Sequence, residues 1–250
     1  MKLKNRVALI TGGGQGIGES ICYVYAKEGA SIVIVDKNLH TAQKVASKIS
    51  EEGGQARAIQ CDITKTDSVK KMMDEVLQEF GKVDIVLNNA GIYIGKAVED
   101  CTEKDWDTVV NLNLKGTFLV SQAAVPSMKK NRYGKIICIS SIMGSVGALD
   151  HAAYCASKAG VIGLVKALAV ELAPYKINVN ALSPGFVATA LNAAFRSNPK
   201  IVESLRQRTP SGEAYMDASE LSGAAVFLAS DDSQAVHGLD LRVDNGWCII

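Results

Sequence analysis

The sequence predicts an α/β chain folded as one doubly wound parallel sheet of about seven strands with helices on both faces. Three observations carry this. Short apolar runs rich in β-branched residues recur along the chain, longer segments with helical spacing alternate with them, and no internal repeat or low-complexity linker breaks the alternation. Such alternation makes βα units, whose strands lie parallel and are covered on both faces.

Taken in order, buried strands read at Val7-Ala8-Leu9-Ile10, Ile32-Val33-Ile34-Val35, Val83-Asp84-Ile85-Val86-Leu87, Ile136-Ile137-Cys138-Ile139 and Ile177-Asn178-Val179-Asn180. Two weaker strands read at Ala56-Arg57-Ala58-Ile59-Gln60 and Leu239-Asp240-Leu241-Arg242-Val243. Helical spacing covers roughly 16–29, 39–52, 66–80, 103–130, 151–173 and 217–229. The stretch from about 185 to 214 has neither sheet nor core character, and an irregular segment of that length in a compact domain is usually functional. It reads as a substrate lid or as a pair of surface helices, within a single domain spanning residues 1–250.

Composition narrows the partners. Hydrophobic residues make up 48% and charged residues 21% of the chain, enough apolar side chain for a sizeable core. Lys and Arg number 27 against 26 Asp and Glu, a formal charge of +1, so no strong field draws in nucleic acid or an anionic membrane. The expected partner is a small molecule. No stretch reads as long and apolar enough to span a bilayer, and Met1-Lys2-Leu3-Lys4-Asn5-Arg6 runs directly into a strand-like segment, so the expected location is cytoplasmic. The cysteines at 22, 61, 101, 138, 155 and 248 show no CxxC pairing, and neither a metal site nor a disulfide framework is expected.

Thr11-Gly12-Gly13-Gly14-Gln15-Gly16-Ile17-Gly18 follows the first strand and opens the first helix. Glycines there let the backbone turn sharply and approach a pyrophosphate, while the helix start offers free N–H groups and a positive dipole end. The spacing is GxxxGxG, not GxGxxG, and alone it describes any tight strand-to-helix connection. Asp36, at the end of the second strand, strengthens it: a carboxylate there accepts the ribose hydroxyls of an adenosine. The pair makes the sheet a Rossmann-type one. A carboxylate repels the 2′-phosphate of NADP, and no Arg or Lys lies between Thr11 and Gly18 to bind that phosphate, so NAD is the expected cofactor and NADP the lesser one. Lys37 beside Asp36 is a cation that offsets some of the repulsion or simply a solvated lysine. Asp62 accepts from the adenine amino group, with Ile63 beside the ring, or caps the next segment. Asn88-Asn89-Ala90-Gly91 ends the fourth strand at the carboxyl edge of the sheet, where Asn89 and Gly91 are placed to leave room for a ribose and one Asn is free to tie neighbouring strands.

Tyr154-Cys155-Ala156-Ser157-Lys158 sets a phenol and an ammonium one helical turn apart on a single face. Hydride transfer to or from an alcohol needs a group that exchanges the hydroxyl proton, and a tyrosine with an ordinary pKa of about 10 is too weak a base at neutral pH. A nearby ammonium, together with an oxidised nicotinamide in a partly dry site, is expected to lower it. Ser141, rather than Ser140, would bond the substrate oxygen. Asn113, an amide within an otherwise helical stretch, either holds a water linking Lys158 to solvent or only kinks the helix.

The ordered set Gly12, Gly16, Gly18, Asp62, Asn88-Asn89-Ala90-Gly91, Asn113, Ser141, Tyr154, Lys158, Pro184-Gly185 and Thr189 resembles the short-chain dehydrogenase/reductase family over nearly the whole chain. That resemblance implies Tyr154 as catalytic acid/base, Lys158 lowering its pKa and holding the nicotinamide ribose, Ser141 positioning the carbonyl and Asn113 supporting a proton relay. It also implies that Val187 and Thr189, after Pro184-Gly185, contact the nicotinamide carboxamide, and that the remaining cofactor contacts come from Gln15 and Ile17 of the glycine turn. The family further implies a homotetramer formed through the helices carrying Asn113 and Tyr154. The apolar tail Trp247-Cys248-Ile249-Ile250 suits a second interface or packing on its own subunit.

The leading expectation is an NAD-dependent oxidoreductase acting on a small secondary alcohol, polyol or ketone. An NADPH-dependent 3-oxoacyl carrier-protein reductase is the alternative enzyme, disfavoured by Gln15 and Asp36 yet consistent with basic Lys129, Lys130 and Arg132. A non-catalytic NAD-binding scaffold is the alternative of another class. Met143, Val146, His151 and Tyr93 are expected to face the substrate, and Arg196, Lys200, Arg206 and Arg208 of the lid either bind an acidic group or face solvent.

Overall fold

The computed structural model describes residues 1–249, so Ile250 of the expected interface tail lies outside the described residues. Seven strands form one sheet: β1 (Val7–Thr11), β2 (Ser31–Asp36), β3 (Ala56–Gln60), β4 (Ile85–Asn88), β5 (Gly134–Ile139), β6 (Ile177–Pro184) and β7 (Asp240–Val243), in the order β3-β2-β1-β4-β5-β6-β7. Every pairing is parallel. All residues of β1, β4, β5 and β6 are buried, which is why those strands are mostly apolar, and polar members such as Lys135, Asn178, Asn180 and Ser183 are hydrogen-bonded. Two apolar layers result. Leu9, Val33, Val86 and Val179 point into one, and Ala8, Ile10, Ile34 and Leu182 into the other.

Helices α1 (Gly16–Lys27), α2 (Leu39–Glu51) and α3 (Thr66–Phe80) follow the first three strands. Local chemistry sets their ends. Asn38 caps α2 by accepting from the His40 N–H at 3.1 Å, and Gly81 closes α3 in the left-handed region at φ 73°. Strand order reverses between β1 and β4, and in open α/β sheets a ligand crevice forms beyond the carboxyl ends of strands at such a point.

The structure departs from the sequence reading in three places. The continuous helix expected over 103–130 is α4 (Glu103–Val110), a π-helical turn (Asn111–Gly116) and α5 (Thr117–Asn131). The wider turn presents the Asn113 side chain inward, and π-bulges of this kind concentrate at functional sites. The lid region contains α7 (Ala193–Arg196) and α8 (Pro199–Arg208), so it is a pair of short helices, followed later by α9 (Ser222–Ala229). Contrary to the expectation of no membrane-length segment, the helix α6 (Ala152–Leu172) and the turn after it, Ala152–Tyr175, are long and apolar enough to cross a bilayer by length and composition, with mean hydropathy 1.4. Its apolar character has another cause: Val161, Val165, Ala169 and Leu172 pack into the core against the sheet, while Val170 on the far side is 80% exposed.

Candidate active site

One cleft of about 1450 Å³ runs along the carboxyl edge of the sheet, from Asp36 and Asp62 at one end to Ser141, Tyr154 and the lid at the other. Small-molecule pockets usually enclose about 300–1,000 Å³, so this space admits a dinucleotide together with a small substrate. It brings together Gly12, Gln15, Gly16, Ile17, Asp36, Asp62, Ile63, Asn89, Gly91, Ser141, Tyr154, Lys158, Pro184, Gly185, Val187 and Thr189.

The glycine turn is shaped for close approach. Gly12 and Gly16 adopt left-handed φ of 62° and 60°, and a Cβ on Gly18 would meet the Gly12 carbonyl oxygen at 2.3 Å. Gln15 precedes α1 without contributing a side-chain cap, so the first N–H groups and positive end of that helix face the cleft as an anion site. Asn89 ties the turn down by donating from Nδ2 to the Thr11 and Gly12 carbonyls, both at 3.0 Å. The Thr11 hydroxyl in turn accepts the Asn89 and Ala90 N–H groups at 3.0 and 3.1 Å. Asn88 joins β4 to α5 and β5, donating to Ser121 Oγ at 3.0 Å and lying 3.6 Å from Cys138 Sγ. Both asparagines therefore carry structural bonds, and Asn89 lines the cleft as well.

Asp36 accepts the Gly14 N–H at 3.1 Å and the Asn38 N–H at 2.9 Å, bonds that hold its carboxylate at the rim. Lys37 pairs with Asp62 at 3.5 Å, with 81% of its side chain exposed, and lines the same end of the cleft. Asp62 also accepts the Thr64 hydroxyl at 2.7 Å and N–H at 3.1 Å, and these bonds hold its carboxyl below the usual range. It thus closes a local turn and still faces the cleft. The residues present fit an adenosine–pyrophosphate: an uncapped helix start, a glycine floor and a rim carboxylate.

At the chemical end, Ser141 Oγ accepts the Met143 N–H at 3.1 Å, leaving its proton for a ligand. Ser140 Oγ donates instead to the Lys158 carbonyl at 2.9 Å, which pins α6 to β5 and explains why the neighbouring serine is the one in play. Lys158 Nζ donates to the Ile139 carbonyl at 2.8 Å and lies 5.7 Å from the Tyr154 ring centroid. Burial pushes the Lys158 ammonium down to about 8. Burial also pushes the Tyr154 phenol up, opposed by hydrogen bonding with Ser141. Desolvation outweighs that hydrogen bond and leaves the phenol raised; the lowering expected of Lys158 acts together with the charge of an oxidised nicotinamide.

Asn113 needs a correction. Its Oδ1 accepts the Ile92 N–H at 2.9 Å, and its Nδ2 donates to the Ile92 carbonyl at 2.9 Å and to Ser157 Oγ at 3.1 Å. An amide so engaged has both donors spent, so it clamps the segment after β4 against α6 and is not itself a ready water holder. Ser157, Ile92 and Thr11 escaped the sequence reading because their partners are remote in the chain. Thr11 left one signal, a hydroxyl closing an apolar strand.

Around the substrate end stand Tyr93, His151 and Met143, as expected, joined by Phe186, Asn192, Phe195 and Tyr215 of the segments after β6, which were not singled out. Phe186 and Phe195 are the two aromatics between 185 and 214, and that was the available sign for both. Val146 does not line the cleft; it packs instead in an apolar cluster with Ile142, Met143 and Trp247. Trp247 meets Phe186 edge-on at 5.7 Å and Cys248 packs in the same cluster, so these two residues of the tail pack on their own chain, while Ile249 is 79% exposed. Arg196, Lys200, Arg206 and Arg208 are exposed and outside the lining.

This fold and cleft define an oxidoreductase of the class that binds a nicotinamide dinucleotide. A family model described as short chain dehydrogenase matches residues 6–200, and the chain belongs to that family. It is 39% identical over 249 residues to D-threitol dehydrogenase of Mycolicibacterium smegmatis, covering 99% of this chain and 95% of the relative. It is 36% identical over 249 residues to a 3-oxoacyl-(acyl-carrier-protein) reductase of Thermotoga maritima, covering 100% of both. The crystal structure of a gluconate 5-dehydrogenase from Burkholderia cenocepacia, in complex with NADP and tartrate, superposes with a TM-score of 0.97 at 36% identity, covering 100% of this chain and 97% of that one.

Proposed function

We propose that the chain is an NAD-dependent dehydrogenase that exchanges a hydride with a small secondary alcohol or ketone, using Tyr154 as the acid/base. The observation that carries this is convergence: Ser141, Tyr154 and Lys158 line the same cleft whose far end holds the glycine turn and Asp36. When bound, NAD supplies the hydride acceptor and a pyridinium charge. Asp36 would hold the adenosine ribose, the start of α1 the pyrophosphate, Lys158 the second ribose, and Val187 with Thr189 the carboxamide.

The chain's own residues manage the proton. Ser141 Oγ donates to the substrate oxygen and fixes its direction, and Tyr154 Oη takes the hydroxyl proton in oxidation and returns it in reduction. Lys158, anchored by the Ile139 carbonyl, keeps positive charge near the phenolate that forms. Support for NAD over NADP lies in the Asp36 carboxylate at the rim and the absence of any Arg or Lys from Thr11 to Gly18. The carrier-protein reductase relative does not displace this reading, since Lys129 is occupied by the Tyr175 ring at 4.3 Å and Arg132 by the Pro174 carbonyl at 3.3 Å.

The test is Tyr154→Phe assayed with NAD and a panel of secondary alcohols. We expect kcat to fall by about 10²-fold or more while the Kd for NAD, measured by calorimetry, changes less than about threefold. Activity near wild type would refute the role of the phenol. Tight NAD binding by the wild type with no turnover on any alcohol or ketone would favour a scaffold.

A further inference from the structure

The substrate end of the cleft is aromatic and carries no formal charge of its own. Tyr93 stacks on His151 with centroids 4.6 Å apart, meets Tyr154 edge-on at 5.6 Å, and faces Phe195 of the lid at 6.2 Å. Gly95 seats this ring, because a Cβ there would fall 1.9 Å from the Tyr93 hydroxyl. The polar side chains nearby are largely committed. Asn192 accepts the Thr189 N–H at 3.1 Å and donates to the Val187 carbonyl at 2.7 Å, and His151 Nδ1 is engaged by the Leu149 carbonyl.

Among the described residues that line the cleft from 89–93, 139–151 and 184–215, none is Lys, Arg, Asp or Glu. The basic lid residues point elsewhere. A carboxylate substrate bound against these segments would therefore be desolvated with no counter-charge from them; the lysines lining the cleft are Lys37, Lys65, Lys104, Lys115 and Lys158, the last held by the Ile139 carbonyl. A polyol would bury several hydroxyls against rings and aliphatic chains, with the Tyr93 and Tyr215 hydroxyls and His151 Nε2 the side-chain groups beside Ser141 and Tyr154 to bond them, and each hydroxyl left unpaired costs about 1–3 kcal/mol. A hydrocarbon ring loses nothing polar and offers two flat faces.

Resting on the reading of Tyr154 as acid/base, we propose that this end selects a neutral alicyclic secondary alcohol or ring ketone, held against the adjoining rings of Tyr93 and Phe195, over polyols and sugar acids. Tyr93 and Phe195 are then the specificity-determining residues, Phe195 being the contribution of the lid.

The experiment compares kcat/KM with NAD for cyclohexanol, D-threitol, gluconate and 2-propanol in the wild type and in Phe195→Ala and Tyr93→Leu. Cyclohexanol is expected to exceed D-threitol and gluconate by at least about tenfold, equivalent to about 1.4 kcal/mol. Each variant is expected to lower the cyclohexanol to 2-propanol ratio by roughly three- to tenfold, mainly through KM. Turnover that favours D-threitol or gluconate, or variants that leave the ratio unchanged, would overturn the inference and leave the dehydrogenase reading standing. Should no alcohol turn over, that reading fails by itself, and calorimetry with cyclohexanone and D-threitol decides this one: tighter cyclohexanone supports it, equal or tighter D-threitol overturns it.

Discussion

Two ionisable side chains at this site can be read as opposed demands on one small volume. Lys158 is held by burial at about 8, below its ordinary 10.5, so the folded protein binds the proton less well than the unfolded chain. A depressed base carries a penalty that is full below the folded value, shrinks between about 8 and 10.5, and is gone above. Lys158→Met should therefore be inactive yet more stable than wild type by about 1–2 kcal/mol at pH 7, or roughly 2–8 °C in Tm, with the difference fading as pH approaches the unfolded value. Thermal melts of both proteins across that range check it; a variant less stable at pH 7 would mean the ammonium's bond to Ile139 outweighs its desolvation. Tyr154, raised by burial, makes alcohol oxidation climb with pH and carbonyl reduction decline, a dependence that Tyr154→Phe should abolish. At the other end of the cleft, Asp36→Ala should raise KM for NAD and lower KM for NADP, shifting preference by about tenfold or more, or about 1.4 kcal/mol. Unchanged preference in initial rates would mean the ribose sits elsewhere. These residues were legible in the sequence because their chemistry is local: a phenol and an ammonium one turn apart, a carboxylate at a strand end. The bonds that Asn113 makes were not, since Ile92 and Ser157 lie 21 and 44 positions away and no local pattern announces them.

The strands were readable for the reason the helix α4–α5 was not. Full burial writes most of these strands as runs rich in β-branched residues, whereas the π turn lies between two segments of ordinary helical spacing and occupies only Asn111–Gly116, too few residues to set a period of its own. The turn matters because it aims Asn113 across the cleft floor. A Cβ added to Gly91 would stand 3.2 Å from Asn113 Oδ1 and 3.5 Å from Lys158 Nζ, so the clamp and the ammonium share the space that glycine leaves. Gly91→Ala should cut kcat by about tenfold while Tm falls by only a few degrees, because the neighbours must yield by tenths of an ångström at the point where position matters most. Steady-state kinetics alongside a melting curve separate the two effects. A variant with full kcat would show that Lys158 tolerates displacement. The lid was legible only as a gap in the pattern. Its short helices α7 and α8 have polar, exposed sequences, and their contribution to the cleft comes from a few apolar side chains such as Phe195 and Leu205.

At the scale of the whole molecule, three of the ten large apolar side chains left exposed among the described residues lie on α4, α5 and α6. Trp106 on α4 is 42% exposed, Phe118 on α5 39% and Val170 on α6 80%, all on the helices through which the family resemblance implies subunits pair. The same circumstance explains why α6 resembles a membrane segment by composition: a helix apolar on its sheet face and apolar again on its outer face has little room for charge. The outer face costs about 25 cal/mol for each Å² it leaves in water, and covering it with a second copy removes that cost twice over in a two-fold contact. We expect the protein to elute at four times its chain mass in size-exclusion chromatography with light scattering. Val170→Glu should shift that mass downward at micromolar concentration, because a two-fold contact sets the new carboxylate close to its symmetry mate and desolvates both. The residues proposed to hold NAD all come from one chain, so the dissociated variant should retain NAD binding. A wild-type protein that is monomeric at micromolar concentration would sink this account and would leave Phe118 and Val170 as an uncovered apolar surface, which predicts concentration-dependent precipitation instead.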